Sequence, residues 1–221
     1  TNASGALVAN AGNLLGRNIT KNGWDQDWRV RTISATLMDT VDLNDKWTVF
    51  GGLRADHYKF NYSQANPTTG VLTYNNLNTS DTFFNGHVGL SYKLNPQGMV
   101  YASVSSAADI NGGESDVGAN STYGGVIITP GTNDIGAKPE RSVTLELGTK
   151  WNVLDDKLLA TAALFQTTKS DVMEGTGSYA STGSLNTGKN RTRGIELGLV
   201  GNVTDKLTMQ AGMVFMNAEI L

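Results

Sequence analysis

The chain has 221 residues, a formal net charge of −3 at pH 7, 39% hydrophobic residues and no cysteine. It contains no run of roughly 20 apolar residues, which excludes bundled transmembrane helices; its mild acidity argues against a nucleic-acid partner, whose footprint is basic; and disulfide staples are ruled out. The scarcity of proline, four against 26 glycines, suits long central strands, because proline interrupts a ladder.

Thr1 to Gly23 is rich in Asn, Gly and Ala and has no sustained period, so it reads as a long loop. It does not read as an export signal, which would have a basic segment followed by an apolar core, and in a fragment of a longer chain that silence carries no information. Trp24 to Val41 alternates, with Trp28, Val30, Thr32, Ser34, Thr36 and Met38 facing one way and Arg29, Arg31, Ile33, Ala35, Leu37 and Asp39 the other. The charges assign the second set to the interior. After a polar turn at Asp42 to Lys46, Trp47 to Tyr62 is a second strand, with Trp47, Val49, Gly51, Leu53 and Ala55 opposite Arg54, Asp56 and Tyr58. Ser63 to Asp81 is polar and too long for a hairpin turn, which predicts a surface loop.

Thr82 to Leu94 and Met99 to Ser106 form a hairpin across Asn95 to Gly98, followed by a long Gly, Asn and Asp-rich loop from Ala107 to Ala137. The clearest period lies at Val143 to Trp151. There Val143, Leu145, Leu147, Thr149 and Trp151 oppose Ser142, Thr144, Glu146, Gly148 and Lys150, which is the period of a strand. A tight turn at Asp155 to Lys157 leads into Leu158 to Phe165, making an antiparallel hairpin. A second polar loop spans Ser170 to Gly188, and Arg191 to Gly201 pairs with Leu207 to Met216 across Asn202 to Lys206. Asn217 to Leu221 reads as the start of another external loop.

Short turns near Asn44, Pro96, Asp155 and Thr204 therefore alternate with long loops. That asymmetry characterises outer-membrane barrels, whose periplasmic turns are short and extracellular loops long, and whose strands need only roughly 9 to 11 residues to span. Trp47, Tyr92, Tyr101 and Trp151 lie near the short turns, where a periplasmic aromatic girdle belongs, and Trp24, Trp28, Tyr58, Phe60, Phe83 and Phe165 nearer the long loops. A soluble β-sandwich is the alternative; strands about twice the usual five or six residues oppose it.

No constellation points to an enzyme. His57 and His87 lack the neighbours of a metal site, no Gly-x-Ser-x-Gly elbow occurs, and Asp109 to Asp116 misses the EF-hand order. The cations Arg29, Arg31, Arg54, Lys59, Arg141, Lys189, Arg191 and Arg193 fall on interior or external positions, accompanied by Tyr58, Tyr62, Tyr74, Tyr123 and Tyr179. Guanidinium charge and ring stacking suit an aromatic anion. For each cation alone, pairing with Glu146, Glu196 or Asp56 to satisfy buried charge is the better explanation; the ligand reading belongs to the set.

Four stretches carry a family resemblance. Lys138-Pro-Glu-Arg-Ser142 with Glu146-Leu-Gly-Thr-Lys150, Gly51-Gly-Leu-Arg-Ala-Asp56, Gly89-Leu-Ser-Tyr-Lys93 with Tyr101-Ala-Ser103, and Arg193-Gly-Ile-Glu196 resemble barrel strands of TonB-dependent outer-membrane receptors of the catecholate-siderophore branch. Ala55 stands where the family has an aromatic. The resemblance runs from about Arg31 onward and implies an all-β fold: residues 1–221 as an antiparallel transmembrane segment, about eight strands of a barrel of about 22, without its plug domain and closing strands. It also implies a bacterial outer-membrane location and import of a ferric siderophore, with no covalently bound cofactor. The implied partners are outer-membrane lipid and lipopolysaccharide, the iron-siderophore complex, and the TonB complex acting through the plug. The ligand-binding residues are then expected to be Arg29, Arg31, Arg54, Tyr58, Tyr62, Tyr123, Tyr179 and Arg191. A small self-closing structural or adhesive outer-membrane barrel is the other reading.

Overall fold

The computed structural model describes residues 26–66, 69–110, 139–173, 186–204 and 206–221. They form eight strands: β1 (Gln26–Asp42), β2 (Trp47–Ala65), β3 (Leu72–Asn95), β4 (Gly98–Asp109), β5 (Glu140–Val153), β6 (Leu158–Met173), β7 (Asn186–Thr204) and β8 (Leu207–Ile220). These make one sheet in sequence order, β1 to β8, and the registers from β3 to β8 are all antiparallel. Even the shortest strand, with 12 residues, is long enough to cross a bilayer core. By contacts, Val30–Phe60 and Asn78–Leu221 form one unit, while Thr1–Arg29 and Asn61–Leu77 form a second, smaller one.

In the larger unit, alternation divides the strands into an apolar and a polar face. On the apolar face the register aligns Leu147, Leu164, Ile195 and Phe215 across four strands, and Thr149, Ala162, Leu197 and Met213 in the next row. On the polar face Thr144 lies beside Thr167, with their hydroxyl oxygens 2.9 Å apart, and Tyr101 donates to Glu146 Oε1 at 2.5 Å. Several rings on this sheet lie against glycines in the adjacent strand. Tyr101 is opposite Gly148, Trp151 opposite Gly98 and Phe165 opposite Gly194, and each ring occupies the space that a Cβ on its glycine would need.

The structure corrects several expectations. The loop expected at Ser63 to Asp81 is largely strand: β2 runs to Ala65 and β3 begins at Leu72. In the smaller unit its turn is closed by Asn66 N–H donating to Val71 O at 2.9 Å and Gly70 N–H to Asn66 O at 2.8 Å. A polar hairpin lacks the apolar alternation that marks the other strands, so composition concealed it. Likewise, Asn217 to Ile220 continues β8 rather than starting a loop.

The faces of β1 are the reverse of the expectation. Ser34 donates to Asp56 Oδ1 at 2.5 Å and accepts from Arg54 Nη2 at 2.9 Å, so Thr32, Ser34 and Thr36 belong to the polar face. Ile33 and Leu37, 77% and 75% exposed, belong with Arg31 to the apolar face; two apolar side chains outweigh the terminal charges. The girdles need the same revision. Trp47 and Tyr92 do pair near the short turns, with centroids 4.5 Å apart. Tyr101 and Phe165, however, lie on the polar face, as do the buried Tyr58, Phe60 and Phe83. Distance from a turn does not fix which side of the strand a ring faces.

Candidate ligand-facing surface

On the polar face of β1 to β3, Arg54 and Asp56 form a charged pair. Asp56 is 3% exposed, and it takes Arg54 Nε on Oδ2 at 2.9 Å, Arg54 Nη2 on Oδ1 at 2.8 Å, and the Ser34 hydroxyl. A planar guanidinium matches a carboxylate in this two-pronged way. The Arg54 side chain remains 51% exposed, and its Nη1 group has no hydrogen-bond acceptor among the described residues. It therefore carries unused donors held in a fixed direction.

Beside Arg54 is an open cavity of about 280 Å³ whose lining includes Thr36, Met38, Gly52, Asn85, His87 and Ser105. Gly52 has a structural reason to lack a side chain, because a Cβ there would lie 2.7 Å from the His87 ring and 2.8 Å from Met38. Two residues beyond Asp56, Tyr58 packs on Phe83 with centroids 6.0 Å apart. The strand thus presents cation, carboxylate and aromatic ring in succession on one side. At another point of the polar face Lys169 forms an ion pair with the buried Glu140.

Residues 2–219 match the family described as TonB dependent receptor-like, beta-barrel. The chain belongs to the TonB-dependent receptor β-barrel family. Two curated relatives are the "Probable TonB-dependent siderophore receptor PiuA" of Acinetobacter baumannii, 33% identical over 89% of this chain and 25% of its own length, and the catecholate siderophore receptor Fiu of Escherichia coli K12, 30% identical over 91% of this chain and 28% of its own. The crystal structure of Fiu in its closed form superposes with a TM-score of 0.71 at 26% identity, covering 88% of this chain and 29% of that one. The chain therefore spans about a quarter of the length of the curated relatives it matches. Its relatives are outer-membrane receptors rather than enzymes.

In a TonB-dependent receptor barrel the apolar face meets lipid and the polar face the lumen, which sorts the expected ligand residues. Arg54 and Tyr58 share the lumen face. Arg31 does not, since it alternates with the lumen-side Thr32 and stands with Ile33. Arg191 is also on the lipid side: it is two residues from Arg193 and four from Ile195, and its Nε donates to Glu219 Oε1 at 2.6 Å. Arg29 is exposed and Tyr62 buried, both in the smaller unit. Tyr123 and Tyr179 lie outside the described residues. Lys59, Arg141, Lys189 and Arg193 fall by alternation on the lipid side too. Lys169, Asn85 and Glu140 are lumen-face polar groups that the sequence reading missed. Extending the period of Leu158 to Phe165 by four residues would have found Lys169.

Proposed function

We propose that this segment forms part of the barrel wall of an outer-membrane receptor that imports a ferric siderophore of catecholate type. TonB would drive import by acting on a plug, and the outer wall would be bathed in lipid and lipopolysaccharide. The observation that carries this reading is the arrangement at Arg54: a half-exposed guanidinium, fixed by Asp56 and Ser34, with free donors beside an open cavity on the lumen face. A ferric catecholate complex is an aromatic anion, and a fixed guanidinium meets such a ligand by charge and stacking together. Asp56 holds Arg54 in place and partly offsets its charge, so Arg54 attracts an anion without being an isolated lumen charge. The short turns of β1–β2, β3–β4, β5–β6 and β7–β8 would then be periplasmic. Tyr123 and Tyr179 belong to the segments that would face outward and remain candidate ligand contacts.

The test is ferric-complex binding by the complete receptor, followed by quenching of intrinsic fluorescence. Arg54→Gln combined with Asp56→Asn keeps the pair neutral and hydrogen-bonded while removing the cation. It should weaken binding of a ferric catecholate more than that of a neutral ferric hydroxamate. Equal binding of both complexes, unchanged by the double substitution, would remove Arg54 from the ligand path.

A further inference from the structure

Four of the cations on the lipid side are clustered on β5 and β7. Along β7, the apolar Leu199, Leu197 and Ile195 are followed on the same face by Arg193, Arg191 and Lys189. On β5 the apolar run ends at Val143 and is followed by Arg141. The register brings these together: Arg141 lies opposite Ser170, Val143 opposite Thr168, and Thr168 opposite Arg191. Glu219 is the carboxylate that pairs with this cluster among the described residues, and it holds Arg191 Nη2 at 2.5 Å and Arg193 Nη2 at 2.7 Å. Arg141 and Lys189 are exposed, with no ion-pair partner among the described residues. Among the described residues, two of the four cations share the Glu219 carboxylate and the other two have no ion-pair partner, which leaves a surplus of positive charge.

The height of the cluster defines its surroundings. Trp151, on the apolar face near the Asp155 turn, is ten residues from Arg141 on the same strand. At about 3.3 Å per residue and a tilt of about 40°, that corresponds to about 25 Å along the membrane normal, the full height of an apolar band. Arg141 and its neighbours therefore reach the headgroup layer on the side opposite the short turns, where long cationic side chains can lie along apolar surface with their charges in the polar zone. Arginine pairs with phosphate through two parallel N–H donors, and the Thr168 and Ser170 hydroxyls stand between the two cationic strands. On the orientation proposed above, this is the outer leaflet, whose phosphates are carried by the phosphorylated glucosamine headgroup of lipopolysaccharide.

We infer that Arg141, Lys189, Arg191 and Arg193 form an outward-facing site for the phosphates of lipid A. Glu219 acts as the brace that holds Arg191 and Arg193 apart and directed. The inference rests on the outer-membrane receptor reading and adds to it the residues and the chemical group. It also removes Arg191 from the ligand path and gives it a lipid-binding role.

The complete receptor in detergent is tested for retention of bisphosphorylated lipid A after washing. Arg141→Gln with Lys189→Gln breaks no ion pair and should weaken retention at least about ten-fold, since each cation near an anionic headgroup layer contributes roughly a factor of five. Arg141→Lys with Lys189→Arg, and the lumen-side Lys150→Gln, should retain lipid A as the unsubstituted receptor does. Unchanged retention in the glutamine variant, or an equal loss in Lys150→Gln, overturns the site. So does equal retention of phosphatidylglycerol from vesicles, which would mean a general anionic-lipid surface, or displacement by millimolar inorganic phosphate, which would mean a free-phosphate site. Ferric catecholate binding and heat-modifiable migration are followed in the same samples. If they persist while lipid A retention is insensitive, this inference alone fails; if the unsubstituted receptor binds no ferric complex, the proposed function fails.

Discussion

At the residue scale, what a position tolerates depends on what lies where its next atom would go. Gly201 has φ +144°, and a Cβ there would run into the carbonyl oxygen of Lys157, which also accepts the Asn202 N–H at 2.7 Å. Backbone atoms in a ladder cannot yield as a flexible side chain can. Gly201→Ala should therefore destabilise the receptor by about 1 to 3 kcal/mol, the usual cost of an unsuitable backbone conformation. Gly212, whose Cβ would meet only Leu197 O at 3.9 Å, should accept alanine with little loss. Urea midpoints of the two variants in detergent check this, and similar midpoints would contradict it. The turn at Leu154 to Lys157 allows the opposite change. Leu154, Asp155 and Asp156 have φ values of +54°, +54° and +62°, and leucine is poorly suited to a left-handed backbone. Leu154→Asn should raise the same midpoint slightly, since asparagine tolerates that region.

At the element scale the decisive quantity is parity. Leu145 and Leu147 are 51% and 57% exposed on the apolar face of β5, while Thr144 hydrogen-bonds Thr167 on the other face. Leu147→Arg should cost about 2 to 4 kcal/mol if the side chain meets the bilayer midplane, and Thr144→Arg far less because it enters the lumen. Reversible refolding into lipid vesicles measures both, and equal losses would mean that the strand faces have been exchanged. β5 was legible in the sequence because its apolar alternation is unbroken from Val143 to Trp151. β1 was legible as a strand but not in its sense, because arginines and isoleucine share a face, and only the contact of Ser34 with Arg54 and Asp56 decides which side that is. The last residues of β2, beyond Tyr62, and the first part of β3, from Leu72 to Asp81, were not legible. There both faces of the strand are polar, so Asn, Thr and Ser alternate with one another and the period disappears. The ligand surface was partly legible for the same reason: Arg54 stood in a clear period, whereas Arg191 was chosen by charge alone and its side followed from the register with Thr168 and Glu219.

At the scale of the whole chain, the sheet order sets the behaviour of residues 1–221 expressed alone. Strands β1 and β8 are the two ends of the order, and no pairing between them is present among the described residues. Within lipid, unpaired backbone N–H and C=O groups cost several kcal/mol each, so a spanning sheet has to be closed. The apolar face of the larger unit, from Ile33 and Leu37 through Leu147 to Met213 and Phe215, remains largely exposed, and an exposed apolar sheet with open edges pairs with other copies. Expressed alone, the segment should aggregate, or fail to give a monomer whose electrophoretic mobility changes on boiling, and it should not bind a ferric catecholate. A small self-closing barrel predicts the reverse, because eight strands can close with side chains filling the interior. Refolding the segment in detergent and running it with and without boiling separates the two. A compact, heat-modifiable monomer would require β1 to pair with β8, and the reading of this chain as a section of a wider barrel wall would have to be abandoned.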